Sequence, residues 1–143
     1  MTSLDRLLRT HPQRPTTNFD AVASCLSACF ECEQACTVCA DACIGEAQID
    51  MLRQCIRICL DCADLCATTG RLVARQAQPD AKLWKTTLEA CVQACRSCAA
   101  ECARHESRHE HCRLCREVCE RCERACMELI AAYPTGVAAA PRH

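Results

Sequence analysis

The stretch Cys25-Leu-Ser-Ala-Cys29-Phe-Glu-Cys32-Glu-Gln-Ala-Cys36-Thr-Val-Cys39-Ala-Asp-Ala-Cys43 decides the fold. Its cysteines alternate four and three residues apart, a mean of about 3.5, the repeat that keeps one stripe of an α-helix turned toward its partners. The same ladder recurs as Cys55, Cys59, Cys62, Cys66, as Cys91, Cys95, Cys98, Cys102, and finally as Cys112, Cys115, Cys119, Cys122, Cys126. Cysteine therefore holds the a and d positions that leucine normally fills. The ladders, with six, four, four and five thiols, form an internal repeat and predict four helices.

Punctuation supports the division. Pro12, Pro15, Pro79, Pro134 and Pro141 all lie outside the ladders, and Gly45 and Gly136 sit where a helix should stop. The first long helix is expected from Asn18 as N-cap to near Gly45, and the second from about Asp50 to about Gln76, with Gly70 a weak point or kink. Asp80 caps a third, reaching about Arg104, and a fourth runs from about Ser107 to about Tyr133. Helices of this length, each about 37 Å long and joined by short loops, favour an all-α, antiparallel four-helix bundle with a cysteine-lined interior. The domain plan is an N-terminal segment over 1–17, with a short helix from Ser3 to Arg9 presenting Leu4, Leu7 and Leu8, a bundle domain over 18–133, and a flexible tail over 134–143.

At 143 residues the chain is long enough to bury a core without staples, so length does not explain nineteen cysteines. Such a content is typical of short secreted disulfide scaffolds, but those are loop-rich, and here only three glycines are present. The N-terminus carries Asp5, Arg6 and Arg9 and has no signal-peptide core, and Arg, Glu or Asp interrupts every apolar stretch before it reaches membrane-spanning length. A cytoplasmic protein is expected, where thiols stay reduced and point to metal more than to disulfides. The net charge of −1, with both signs interleaved, offers no patch for nucleic acid or anionic lipid. On the last helix Glu117 with Arg121 and Glu120 with Arg124 have the favourable i, i+4 order.

Leucine fills a seam better than cysteine and carries no oxidation liability, so simple core filling is a poor account of the pattern. Disulfide closure between i, i+3 or i, i+4 positions would strain a continuous helix, and the mid-helix Cys-x-x-Cys pairs lack an exposed nucleophile. No Cys-Pro completes an iron–sulfur run, and no C-x-x-C-H marks a haem. Zinc asks for discrete tetrahedral sets, commonly on loops. Cuprous copper is soft, accepts two or three sulfurs, and neutralises one thiolate per ion, so bridging thiolates hold about one Cu(I) per cysteine. One chemistry repeated along a column, without different residues converging on a point, reads as bulk storage and not as an enzyme. A zinc or general thiophilic-metal buffer and a thiol/disulfide redox protein stand as the alternatives.

The Cys-x3-Cys-x2-Cys ladders on four helices, together with Cys102-Ala-Arg-His105 and His109-Glu-His111-Cys112 at the last hairpin, resemble the cytosolic copper storage proteins. The resemblance covers about Asn18 to Tyr133. It implies a bundle that fills with Cu(I) on inward thiolates and assembles as a homotetramer.

Antiparallel topology gathers Cys43, Met51, Cys55, Cys102, His105, His109 and Cys112 at one end. The seam of the third helix continues through Cys102 to His105 and His109. With the resemblance, that position makes these two histidines candidate ligands at a mouth, weaker than thiolate and suited to capturing an ion and passing it inward. Met51 is a third candidate there, although Leu52 competes for the strict seam position. His11, His111 and His143 read as solvated. At the opposite end Val22, Val73, Trp84, Leu88, Leu129 and Tyr133 are expected to form an apolar plug. Ile56, Leu60, Leu65, Leu114 and Val118 flank the seam and fit packing either within the bundle or between subunits.

Overall fold

The structure, a computed structural model, describes residues 2–14 and 18–133. Pro15, the 134–143 tail and the stop expected at Gly136 lie outside the described residues. The described chain is helical: α1 (Ser3–Arg9), α2 (Phe19–Ile44), α3 (Arg53–Ala74), α4 (Ala81–Ala103) and α5 (Glu110–Ala132), with a 3-10 turn over Ile49–Leu52 ahead of α3. The long helices form a square in which α2 packs on α3 and α5, and α4 packs on the same two neighbours. Sequential helices joined by short loops run antiparallel, so the four cysteine stripes face one another across a shared interior.

The ends of the helices follow from local chemistry. Thr2 and Asp5 form a reciprocal capping box at α1, with Asp5 N–H donating to Thr2 Oγ1 at 3.2 Å and Thr2 N–H to Asp5 Oδ2 at 3.1 Å. Asp80 caps α4, accepting from the backbone N–H groups of Lys82 and Leu83 at 3.1 and 3.2 Å. Asn18 occupies the N-cap of α2 without a side-chain bond. Two boundaries differ from the sequence expectation. The residues after Asp50 begin as a 3-10 turn, and α5 starts at Glu110 with His109 as its N-cap, three residues beyond Ser107. Between α4 and α5 the backbone runs as turns, His105 N–H donating to Cys102 O at 3.0 Å and His109 N–H to His105 O at 3.0 Å, and the His109 carbonyl accepts the first bond of α5, from Cys112 N–H at 3.0 Å.

Gly70 does not interrupt α3, which is continuous from Arg53 to Ala74. Its missing side chain makes room for α2: a Cβ here would lie 2.8 Å from Phe30 Cε1. The glycine is a point of close helix approach.

The apolar end matches its expectation. Val22, Val73, Trp84, Leu88 and Leu129 are buried, and the Trp84 ring packs on Tyr133 with centroids 5.4 Å apart. Helix α1 extends this end. Its Leu8 is buried in the same core, and Arg9 lies over the Phe19 ring at 4.5 Å, while Leu7 is exposed. Of the flanking apolar residues, Ile56 and Val118 pack against the core, whereas Leu60 and Leu114 are exposed on the outside.

The ion pairs of α5 run otherwise than expected. Glu117 and Glu120 pair backward with Arg113 and Arg116, and Arg121 reaches across to Glu31 of α2 at 2.8 Å. Arg96 of α4 likewise meets Glu123 of α5 at 2.8 Å. Exposed pairs of this kind contribute about 0–1 kcal/mol each, so they tune helix contacts while the apolar end and the seam hold the fold.

The plug should carry a large share of the metal-free stability. Leu129→Ala is expected to cost about 2–5 kcal/mol in chemical denaturation of the metal-free chain, because it empties a closed site. Leu7→Ala, on the exposed side of α1, should stay within about 0.5 kcal/mol. Equal losses would contradict a localised plug.

Candidate metal centre

All nineteen cysteines are free thiols and all are buried. Because a and d positions of four helices converge on one axis, their sulfurs form a continuous column. At the plug end Cys25, Cys29 and Cys126 are mutually 3.8–3.9 Å apart. Cys122 joins Cys29 at 3.8 Å to Cys66 at 3.9 Å, and Cys66 meets Cys91 and Cys95, each at 3.8 Å. Midway, Cys36 lies 3.6 Å from Cys119 and 3.9 Å from Cys98, which leads at 3.7 Å to Cys59 and so to Cys55 and Cys102. These separations are far beyond a disulfide bond of about 2.05 Å and match sulfurs sharing a metal ion.

Cys32, Cys62 and Cys115 complete the middle of the column, Cys32 lying 3.8 Å from Cys36 and 4.0 Å from Cys62, and Cys115 3.8 Å from Cys36, while the outermost three thiols cluster at the mouth. Cys39, Cys43 and Cys112 group with His111, their ligand atoms all within 4.8 Å of one another. His111 Nδ1 is 3.4 Å from Cys39 Sγ and 3.6 Å from Cys112 Sγ. Reading His111 as a solvated loop residue is therefore corrected: its ring is packed on thiols in the first turn of α5. The available signal was its place four residues before Cys115, one helical turn along the same stripe.

The other mouth candidates lie farther out. His105 Nε2 is hydrogen-bonded to the buried Glu101 carboxylate at 2.8 Å, and Arg104 grips the other Glu101 oxygen at 3.2 Å. His109 stacks on His111 with ring centroids 5.5 Å apart. Met51 is 59% exposed, whereas Leu52 is buried at 1%, so the contest for the seam goes to Leu52. The 3-10 turn causes this: three residues per turn put Leu52 inward and rotate Met51 to the rim. Met51, His105 and His109 share the lining of an outer hollow of about 300 Å³. Glu46, absent from the sequence reading, sits just past Gly45 with its carboxylate 3.2 Å from His109 Nδ1.

The donor set fits a monovalent soft ion better than discrete zinc sites. Cys29, Cys91, Cys122 and Cys126 form one possible quartet and Cys32, Cys66, Cys95 and Cys122 another, so Cys122 belongs to both. Cys32, Cys36 and Cys119 are shared in the same way between further quartets. Overlapping sets cannot all be filled by ions that each require four sulfurs of their own, but bridging thiolates fill them naturally with two- or three-coordinate Cu(I). One such ion per thiolate also leaves the dry interior near neutral, which buried thiolates alone would not be.

Crowding drives the thiols in opposite directions. The thiols of Cys126 and Cys29 hold Cys25 down at about 5, and Cys126 and Cys29 pull Cys122 down to about 7. At the mouth, burial pushes Cys43 up to about 11, and burial also raises Cys112. Above the ordinary thiol value the lowered group of sulfurs is ionised in folded and unfolded chains alike and adds no slope. The raised ones keep protons that the unfolded chain has lost, so folding stability falls as pH climbs from about 9.0 toward about 11. Denaturation of the metal-free, reduced chain across that window should show a steadily falling midpoint, and a flat one would contradict the burial of these thiols.

Comparison with known proteins reaches the same chemistry. The model of the copper storage protein family matches residues 18–131. The structure of the copper storage protein Ccsp from Streptomyces lividans loaded with 10 copper equivalents is 44% identical, with a TM-score of 0.88, covering 91% of this chain and 99% of that one. The cytosolic copper storage protein of Streptomyces lividans holding five coppers is 47% identical, with a TM-score of 0.77, covering 78% of this chain and 93% of that one. No curated protein matches. With thiol ladders on every long helix and a match over nearly the whole bundle, the chain belongs to the copper storage protein family.

Proposed function

We propose that this protein stores and sequesters Cu(I) in the cytosol on its inward cysteines, about one ion per cysteine, without catalysing a reaction. The observation that carries the reading is the unbroken column of buried sulfurs at 3.6–4.0 Å, from Cys25 at the plug to Cys55 and Cys102 near the mouth. Such a column has capacity in place of a single centre: every sulfur has another beside it, so an ion bound anywhere can pass to a neighbour by exchanging one thiolate at a time. Membership of the copper storage family and the copper-loaded relatives support it. The ligands are the nineteen cysteines, with His111 beside the outermost three and His105, His109 and Met51 around the outer hollow.

The two ends give the column a direction. Trp84, Leu88, Leu129 and Val22 close one end with bulky apolar groups that offer no metal ligand. The other end presents imidazoles, which bind Cu(I) less strongly than thiolate and therefore release it inward. Ions load through that end. Assembly into a homotetramer follows from the resemblance alone, and the exposed Leu60, Leu114 and Met127 are available to an interface. Among the described residues no helix is long and apolar enough to cross a membrane.

Anaerobic titration of the reduced chain with Cu(I) against a competing chelator should end near one ion per cysteine. An end point of one or two ions would refute storage, and preference for Zn(II) would favour a general thiophilic buffer. Replacing His105 and His109 together with Ala should slow loading and release several-fold in stopped-flow experiments while capacity stays nearly constant. A large fall in capacity would contradict their role at the mouth.

A further inference from the structure

At the mouth one arrangement is left unexplained by thiolate chemistry. Among the described residues, His111 Nε2 is the one buried side-chain nitrogen or oxygen that makes no hydrogen bond. It faces Glu46 Oε1 at 3.4 Å, while the other oxygen of the same carboxylate faces His109 Nδ1 at 3.2 Å. Both distances are long beside the 2.8 Å hydrogen bond between His105 and Glu101 a few residues away. Each imidazole nitrogen thus faces its own oxygen of one carboxylate, so three groups able to bind a metal through N or O converge at one spot.

We propose that His109, His111 and Glu46 form a second metal site, for a divalent cation of borderline softness such as Zn(II) or Co(II), chemically distinct from the thiol column. Two imidazoles and one carboxylate suit that class, whereas Cu(I) prefers the sulfurs beneath. The ring nitrogens divide the work. His111 directs Nδ1 inward to Cys39 and Cys112 and Nε2 outward to Glu46, so one side chain borders both sites without sharing an atom between them. The backbone is prepared for this. His109 is the N-cap of α5, its carbonyl accepting from Cys112 N–H at 3.0 Å, which fixes the spacing to His111 within the first turn of the helix. Glu46 comes from the loop after α2, so an ion here ties that loop to the start of α5 across the mouth and resists the passage of Cu(I).

The test uses the chain filled anaerobically with Cu(I), resting on the storage reading only in that its thiolates are then occupied. The filled d shell of Cu(I) leaves the visible region clear for Co(II). Titration should show one Co(II) per chain with visible ligand-field bands and no thiolate-to-cobalt charge transfer. Glu46→Gln and Glu46→Ala should weaken that binding at least tenfold with Cu(I) capacity unchanged. Chelator removal of Cu(I) should slow several-fold once Co(II) is bound, in the unmodified chain alone. No Co(II) binding, bands dominated by thiolate charge transfer, or equal binding by Glu46→Ala would overturn the site, and unchanged removal rates would overturn the tie across the mouth. Cu(I) capacity is read independently: a chain that takes up few Cu(I) ions refutes storage while the Glu46-dependent, thiolate-free bands still decide this site.

Discussion

Everything in this structure depends on how close the sulfurs lie. A thiol column with neighbours at 3.6–4.0 Å is too open for disulfides, too crowded for every sulfur to ionise without counter-charge, and too overlapping for separate four-sulfur sites. Monovalent, thiophilic ions relieve all three conditions at once, since each removes a proton, neutralises a thiolate and shares its ligands with the next. The helices exist to hold that spacing. A 3.5-residue repeat on four antiparallel helices is the simplest scaffold that stacks identical side chains along an axis, and it converts a local sequence period into a continuous ligand path.

Cysteine is a small core residue, and a seam built from it packs with less apolar area than leucine would supply. Stability is accordingly concentrated at one end, where Trp84, Leu88, Leu129, Val22 and Val73 are closed off with Leu8 of α1 behind them. The opposite end is built from short turns and polar groups, with Glu101 holding His105 and Glu46 facing His109 and His111. The molecule thus separates the part that keeps it folded from the part that exchanges ions with solution. That separation lets the mouth keep polar, partly exposed groups without loosening the bundle.

Much of this was legible in the sequence because the signal is periodic and repeated. The cysteine register placed all nineteen thiols inside, and prolines, Asp80 and the Ser3–Arg9 segment marked helix ends within a few residues. The discrepancies share one physical origin, in backbone that leaves the α-helical period. The 3-10 turn over Ile49–Leu52 rotated Met51 outward and put Leu52 inside, and the turns between Arg104 and His109 delayed α5 to Glu110. Extrapolating a heptad through such turns misplaces side chains by a fraction of a turn, which is enough to exchange His105 for His111 as the imidazole resting on thiols. Glu46 and Gly70 were opaque for another reason: their roles lie in what another element brings against them, His109 and His111 in one case and the Phe30 ring in the other.

X-ray absorption at the copper edge of the fully loaded chain tests the central claim most directly, because it reads the ligands of the stored ions themselves. Storage on shared thiolates predicts Cu(I) with two or three sulfur neighbours on average, a minor nitrogen contribution from the mouth, and copper–copper scattering from ions bridged by a common sulfur. A first shell dominated by nitrogen or oxygen, or isolated ions without copper neighbours, would contradict it.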